Sequence, residues 1–263
     1  MLPQELATTL RRLRLSGMLD TVALRQQEAE AEQLDYSEFL ARLCEDEVQR
    51  RANRALARRV ATARFPRITP LSTFDFTYNP GIPAARIRDL AACHWIGRHQ
   101  SVCFIGPVGV GKSHLAQAIG YAACQHEYHV AYRKASQLFQ DLSGGHADGT
   151  FERRLRSYLT CDLLIVDDFG LRELSAPVAD DFFELVCQRD QQGSWLIVSN
   201  REPADWYGLF PNPVIAEGVL DRLVNSSYHI VLEGKSYRPR HRPQDPSQTP
   251  SAERTPDPEA PTH

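Results

Sequence analysis

A chain of 263 residues with 42% hydrophobic and 24% charged side chains can bury the core of one large domain or two smaller ones. Its formal net charge of −3 argues neither for nor against a polyanionic partner, so the distribution of charge has to carry that question. No apolar run approaches the ~20 residues of a membrane helix, and the opening MLPQELATTLRRLRLSG lacks the apolar block of a secretory signal. No membrane association and a cytoplasmic location are expected. The six cysteines show no C-x-x-C pair and no histidine grouping at zinc spacing, so they read as buried small hydrophobes.

Residues 1–67 read as a separate helical region. Leu6, Leu10, Leu13, Met18, Leu19 and Val22 recur at helical spacing, with Ser16-Gly17 as a break between two helices. A second run keeps Phe39, Leu40, Leu43, Val48, Leu56 and Val60 apolar. Ser37 is the expected N-cap before it, with Glu38 in the first turn, and Phe65-Pro66 is the expected end.

From Val48 to Arg67 this run carries seven arginines and no acid. Arg50, Arg54 and Arg58, with Arg51 and Arg59 beside them, lie on neighbouring turns and form a stripe whose self-repulsion needs an offset. A phosphate backbone would supply it. So would the upstream acids Glu45, Asp46 and Glu47 on an otherwise solvated face, and spacing does not choose between the two.

Residues 68–98 form a connector in which Pro80-Gly81-Ile82-Pro83 marks a turn and a helix starts near Ala84. From 99 to 238, strand-like runs (SVCFIG, HVAYRKA, CDLLIVDDFG, SWLIVSN) alternate with helical ones. That order predicts an α/β fold: a parallel sheet flanked by helices, preceded by a small all-α domain. Residues 239–263 hold seven prolines in 25 residues and almost nothing apolar, the composition of a disordered tail.

The chemistry concentrates at the strand ends. Gly106, Pro107, Val108, Gly109, Val110, Gly111, Lys112, Ser113 and His114 contain the spacing G-x-x-x-x-G-K-[ST], after a predicted strand and opening a predicted helix. Such a loop wraps phosphates with backbone N–H groups, sends its lysine to the outer phosphates and places its hydroxyl on Mg²⁺. A nucleoside triphosphate is implied, but not its use. LLIVDDFG puts Asp167 where it can hold Mg²⁺ with Ser113, and Asp168 where it can orient or deprotonate a water. Asn200 ends the run WLIVSN and can reach an attacking water or γ-phosphate, although Ser-Asn also starts loops. Arg222 in GVLDRL can serve a neighbouring subunit's nucleotide or pair with a nearby acid such as Asp221.

The ordered set GPVGVGKSHLA, LLIVDDFG, VSNREPADW, AEGVLDRL and VLEGKSYR resembles the AAA+ ATPases. Within them it is similar to the IstB-like transposition helper ATPases, relatives of the DnaC-type helicase loaders. RRLRLSGM, NRALARRVATARFP and STFDF add to the resemblance, which covers about residues 5 to 238. It implies Lys112 and its glycines as the Walker A loop and Asp167 and Asp168 as the Walker B pair. Asn200 would be the sensor and Arg222 a finger acting in trans. It also implies ATP and Mg²⁺ as cofactors, ATP-bridged homo-oligomers on duplex DNA, and a partner transposase, with the arginine stripe facing DNA. A helicase loader acting on single-stranded DNA and a non-hydrolysing scaffold are the alternatives. Lys235 stands where relatives often have an acid, so no sensing role is assigned to Arg238.

Overall fold

The computed structural model describes residues 4–237, so Arg238 and the proline-rich tail lie outside the described residues. Five strands form one parallel sheet in the order β2-β3-β4-β1-β5. They are β1 (Ser101–Ile105), β2 (Val130–Lys134), β3 (Leu163–Phe169), β4 (Ser194–Ser199) and β5 (Ser227–Val231). The first four fall on the expected runs. The fifth has no counterpart in the sequence reading, because Tyr228, His229 and Val231 stay exposed and interrupt any apolar run.

A parallel sheet buried on both faces reads as continuous hydrophobics whose alternate residues enter different cores. Leu164 and Val166 of β3 enter one core, beneath α6 (Ala135–Ala147), α7 (Phe151–Leu159), α8 (Ala176–Arg189) and α9 (Pro213–Leu220). Leu163 and Ile165 enter the other, beneath α4 (Ala84–Ala91) and α5 (Lys112–Gln125). β4 lies between β1 and β3, so whatever follows these three strands meets at the sheet's carboxyl edge. That edge is where open α/β sheets bind ligands.

The N-terminal helices are α1 (Gln4–Arg12), α2 (Ser16–Glu32) and α3 (Tyr36–Ala63). Asp35, not Ser37, caps α3: its carboxylate accepts the Glu38 N–H at 2.8 Å, which leaves Ser37 inside the first turn. Gly17 opens α2 for a reason beyond breaking a helix. A Cβ there would stand 2.7 Å from the Glu47 backbone, and the Gly17 N–H donates to buried Glu47 at 2.6 Å. Asp46 accepts from Nε and Nη2 of Arg25 at 2.8 and 2.7 Å, which holds its carboxyl down at about 2. The other end of α3 joins the α/β core, where Leu56, Val60 and Ala63 pack with the α5 side of the sheet. Arg64, with φ 61°, ends the helix just before Phe65-Pro66.

Arg189 at the end of α8 is fully buried and bonds chiefly to backbone carbonyls. Its guanidinium donates to the Tyr158 carbonyl at the end of α7, to Cys161 O at 2.8 Å and to Ser194 O at 2.8 Å, and stacks on Trp195 at 5.3 Å. A cation there satisfies helix-end carbonyls and ties the starts of β3 and β4 together. Arg189→Met is expected to lower the unfolding free energy by about 2–4 kcal/mol, because buried carbonyls lose their donor. Urea denaturation with an unchanged m-value would check it.

Candidate nucleotide site

The loop after β1 turns back on itself to open α5, and two glycines are forced by close approach. A Cβ at Gly106 (φ 148°) would sit 2.2 Å from the Leu232 carbonyl oxygen, and one at Gly111 (φ 108°) would sit 2.7 Å from the Phe74 ring. Lys112, 6% exposed, folds over the loop and donates to the carbonyls of Gly106 and Pro107 at 2.6 and 2.7 Å. Its ammonium is therefore tethered within the loop's concavity, at the N-terminus of α5, where helix and lysine both favour anions.

Asp167 ends the continuous buried run of β3, before half-buried Asp168 and buried Phe169, and is 2% exposed. Ser113 Oγ donates to its Oδ1 at 3.0 Å, the Asp168 N–H donates to the same oxygen at 2.9 Å, and the Tyr132 hydroxyl donates to Oδ2. Desolvation beside Asp167 drives the Tyr132 phenol well above its usual range, so it stays a donor. At Asp168 the backbone turns left-handed (φ 58°) within a register shift against β4. Its carboxylate pairs with Lys134 at 2.8 Å.

Lys112, Ser113, Asp168 and Asn200 line one cavity of about 190 Å³, bordered by Val108, Gly109, Gly111 and His114. Asn200 arrives there because β4 runs between β1 and β3. Val110 is buried in the core behind the loop and lines the neighbouring cavity rather than this one. Arg222 does not line this cavity; it lies beyond α9, donating to Gly218 O at 2.8 Å, with Asp190 at 3.8 Å.

A second cavity of about 180 Å³ shares Gly111 and His114 with the first and is walled by Phe74, Tyr78, Asn79 and Tyr237. Phe74 meets His114 at 5.3 Å between ring centroids, and Tyr78 meets Tyr237 at 4.7 Å. Burial lowers the His114 pKa, so its ring is neutral at neutral pH. The segment after β5 closes this side: Asn79 exchanges two 3.0 Å hydrogen bonds with the Lys235 backbone, and the Tyr237 N–H reaches Gly109 O at 2.9 Å. An aromatic slot continuous with an anion cradle suits a flat base joined to a phosphate chain. The sequence reading missed this half, although the aromatic density of STFDFTY was its visible signal.

Among the described residues no group of three or more His, Cys, Asp or Glu could hold a metal unaided. Ser113 Oγ and Asp167 Oδ1 are neighbouring hard oxygens, and Mg²⁺ usually takes one or two such protein oxygens and completes its shell with phosphate and water. The donor set fits that ion.

The arginines of α3 are not five equivalent cations. Arg50 pairs with Asp20 of α2, Arg51 with Glu47 at 2.7 Å, and Arg59 with the Cys124 carbonyl at 3.0 Å and Glu127 at 3.5 Å. Arg54 and Arg58 are exposed and have no acid partner among the described residues. Most of the offset expected for the stripe thus comes from α2 and the core, and only Glu47 supplies it from the same helix.

The family model described as IstB-like ATP binding protein matches residues 8–245. The chain belongs to this family. It is 48% identical over 239 residues to a Mycobacterium tuberculosis protein named for ATP binding in an insertion sequence, covering 90% of this chain and 95% of that one. It is 33% identical over 234 residues to the protein named for ATP binding in insertion sequence IS21 of Pseudomonas aeruginosa, covering 89% and 88%. The fold is that of AAA+ proteins. The DnaC helicase loader superposes with a TM-score of 0.55 at 18% identity, over 65% of this chain and 99% of that one. AMPPCP-bound DnaA from Aquifex aeolicus does so with 0.53 at 21% identity, over 66% and 52%. No helix among the described residues is long and apolar enough to cross a membrane.

Phe74→Ala removes the slot's central ring, and ATP affinity is expected to fall about tenfold, the equivalent of one lost aromatic contact. Inorganic triphosphate should compete for the loop as well as before. Titration with a fluorescent ATP analogue, with triphosphate as competitor, measures both.

Proposed function

We propose that this IstB-like ATP-binding protein is a Mg²⁺-dependent ATPase that assembles on duplex DNA and regulates the transposase of its insertion sequence. The observation that carries the reading is the pair of adjoining cavities in which base slot, phosphate loop, Asp168 and Asn200 converge, with buried Asp167 behind them on Ser113 and Arg222 outside. Among the described residues Arg222 lies outside the loop's cavity, so an arginine supplied by a neighbouring subunit would complete the charge stabilisation that phosphoryl transfer needs.

In this mechanism Lys112 leaves the loop carbonyls for the β- and γ-phosphates. Ser113 and Asp167 would hold Mg²⁺, which would supply charge neutralisation at the phosphate oxygens. Asn200 positions the attacking water, and Asp168 accepts its proton after exchanging Lys134 for that water. Arg222 of one protomer stabilises the charge that develops on a neighbour's γ-phosphate. ATP then acts as a switch: a ligand contacted by two subunits favours their association by its differential affinity, and hydrolysis removes it.

The relatives named for insertion sequences support the transposition context. Arg54 and Arg58, exposed and without an acid partner among the described residues, are the foremost phosphate contacts on α3. Arg50, Arg51 and Arg59 would join by exchanging their present partners.

Sizing of complexes on duplex DNA with and without ATP tests the switch. Lys112→Ala is expected to abolish ATP-stimulated assembly; complexes that still respond to ATP would refute it. Arg222→Ala should keep ATP binding within about twofold and lower hydrolysis by about 10²-fold or more, as for other arginine fingers. Unchanged turnover would place the finger elsewhere.

Arg54→Ala with Arg58→Ala is expected to reduce the slope of log K against log salt by about 2, roughly one unit for each lost phosphate contact. Binding titrations on duplex DNA at several salt concentrations read this directly. Parallel titrations on single-stranded DNA separate the helper from the helicase-loader reading, which predicts the reverse strand preference.

A further inference from the structure

Tyr132 sits on β2 among hydrophobic side chains and is 3% exposed. Its hydroxyl is the exception in that environment, and it is spent on one acceptor, Oδ2 of Asp167. A phenylalanine would fill the same core position, so packing alone does not call for the oxygen. The other carboxylate oxygen, Oδ1, faces Ser113 at 3.0 Å and the Asp168 N–H at 2.9 Å. The two oxygens of Asp167 are thus assigned to different neighbours.

The tyrosine is itself seated. Phe65, just past the end of α3, lies 6.0 Å from its ring centroid to centroid. The Phe65 ring occupies space that only a glycine leaves on α5: a Cβ at Gly120 would stand 2.7 Å from it. Two residues on, the Arg67 N–H donates to Gln117 Oε1 at 3.2 Å, and Gln117 Nε2 donates to the Ser113 carbonyl at 3.0 Å. The chain leaving α3 therefore braces α5, which carries Ser113, and Tyr132 of β2, which holds Asp167.

We propose that Tyr132 is a positioning residue for Asp167: by holding Oδ2 it leaves Oδ1 alone to meet a metal beside Ser113, with Phe65 fixing the tyrosine ring. The inference rests on the reading of the site as one for Mg²⁺ and ATP. Its physical consequence is ion selectivity. Mg²⁺ demands near-octahedral geometry and short bonds to single carboxylate oxygens, whereas Ca²⁺ accepts both oxygens of one carboxylate in a looser shell. A carboxylate with one oxygen already taken by a phenol suits the first ion and disfavours the second. Groups that orient metal ligands in this way typically carry 10–100-fold in metal affinity.

The test uses the full chain and Tyr132→Phe, with thermal unfolding to verify the fold. A fluorescent ATP analogue is titrated in EDTA, in Mg²⁺ and in Ca²⁺, and hydrolysis is followed against Mg²⁺ concentration. The expected result has three parts. Affinity in EDTA stays unchanged, the Mg²⁺ concentration for half-maximal binding enhancement and turnover rises about tenfold, and the preference for Mg²⁺ over Ca²⁺ shrinks by a similar factor. Phe65→Ala should move the same quantities in the same direction by a smaller factor. A Tyr132→Phe protein with the wild-type Mg²⁺ requirement and ion preference overturns the assignment. So does one that loses affinity equally in EDTA and in Mg²⁺, which would mark a structural role only. If the wild type itself binds ATP without regard to Mg²⁺, the underlying reading of the site fails, and the assignment falls with it. A wild type that responds to Mg²⁺ beside a variant that responds identically removes the assignment alone.

Discussion

Burying a carboxylate inside an α/β sheet costs several kcal/mol unless its oxygens find donors. Asp167 is 2% exposed, and its donors come from three different places: the hydroxyl of Ser113 on α5, the hydroxyl of Tyr132 on β2 and the backbone of Asp168. Meeting that requirement fixes how the glycine loop, β2 and β3 sit against one another. The loop in turn needs glycine at 106 and 111, because Leu232 and Phe74 press against it from the segments that wall the aromatic slot. One buried acid thus sets the register in which the phosphate cradle and the base slot become continuous.

Helix α3 bears on the same arrangement from outside. Its first half forms a hairpin with α2, held by Glu47 against Gly17 and by Asp46 against Arg25. Its last turns belong to the sheet's core through Leu56, Val60 and Ala63. The 28-residue helix is thus packed at both ends. Just past it, Phe65 lies against Tyr132 and the Arg67 N–H donates to Gln117.

Much of this was legible in the sequence, and for identifiable reasons. The glycine loop, the Asp167-Asp168 pair and Asn200 sit at the ends of long apolar runs, where pattern and chemistry coincide; the structure brings Lys112, Ser113, Asp168 and Asn200 to one cavity. The break at Ser16-Gly17 and the stop at Phe65-Pro66 were equally readable, being backbone constraints. What escaped depends on contacts between distant segments. The base slot joins Phe74 and Tyr78 to Tyr237, about 160 residues away, which no local pattern records. Tyr132 in HVAYRKA counts as one more apolar strand residue until its hydroxyl is seen to meet Asp167. The cap fell on Asp35 rather than Ser37 because both residue types cap well and only the backbone angles separate them. The arginine stripe was real as a pattern, but its charge is largely spoken for by α2 and the core.

The two acids at the end of β3 show how adjacent residues acquire opposite mechanical characters. In a regular strand their side chains would point to opposite faces of the sheet. The left-handed turn at Asp168, inside the register shift with β4, instead brings its carboxylate to the cavity edge beside Lys112 and Asn200. Asp167 is rigid, because releasing it would strand a buried charge. Asp168 is a third exposed and held by a single lysine that is about half exposed. Ion pairs of that kind are worth only about 0–1 kcal/mol, so Asp168 can leave Lys134 at little cost while Asp167 stays in place. The fold thus sets a fixed acid next to a movable one, and a single bulge in β3 is what separates them.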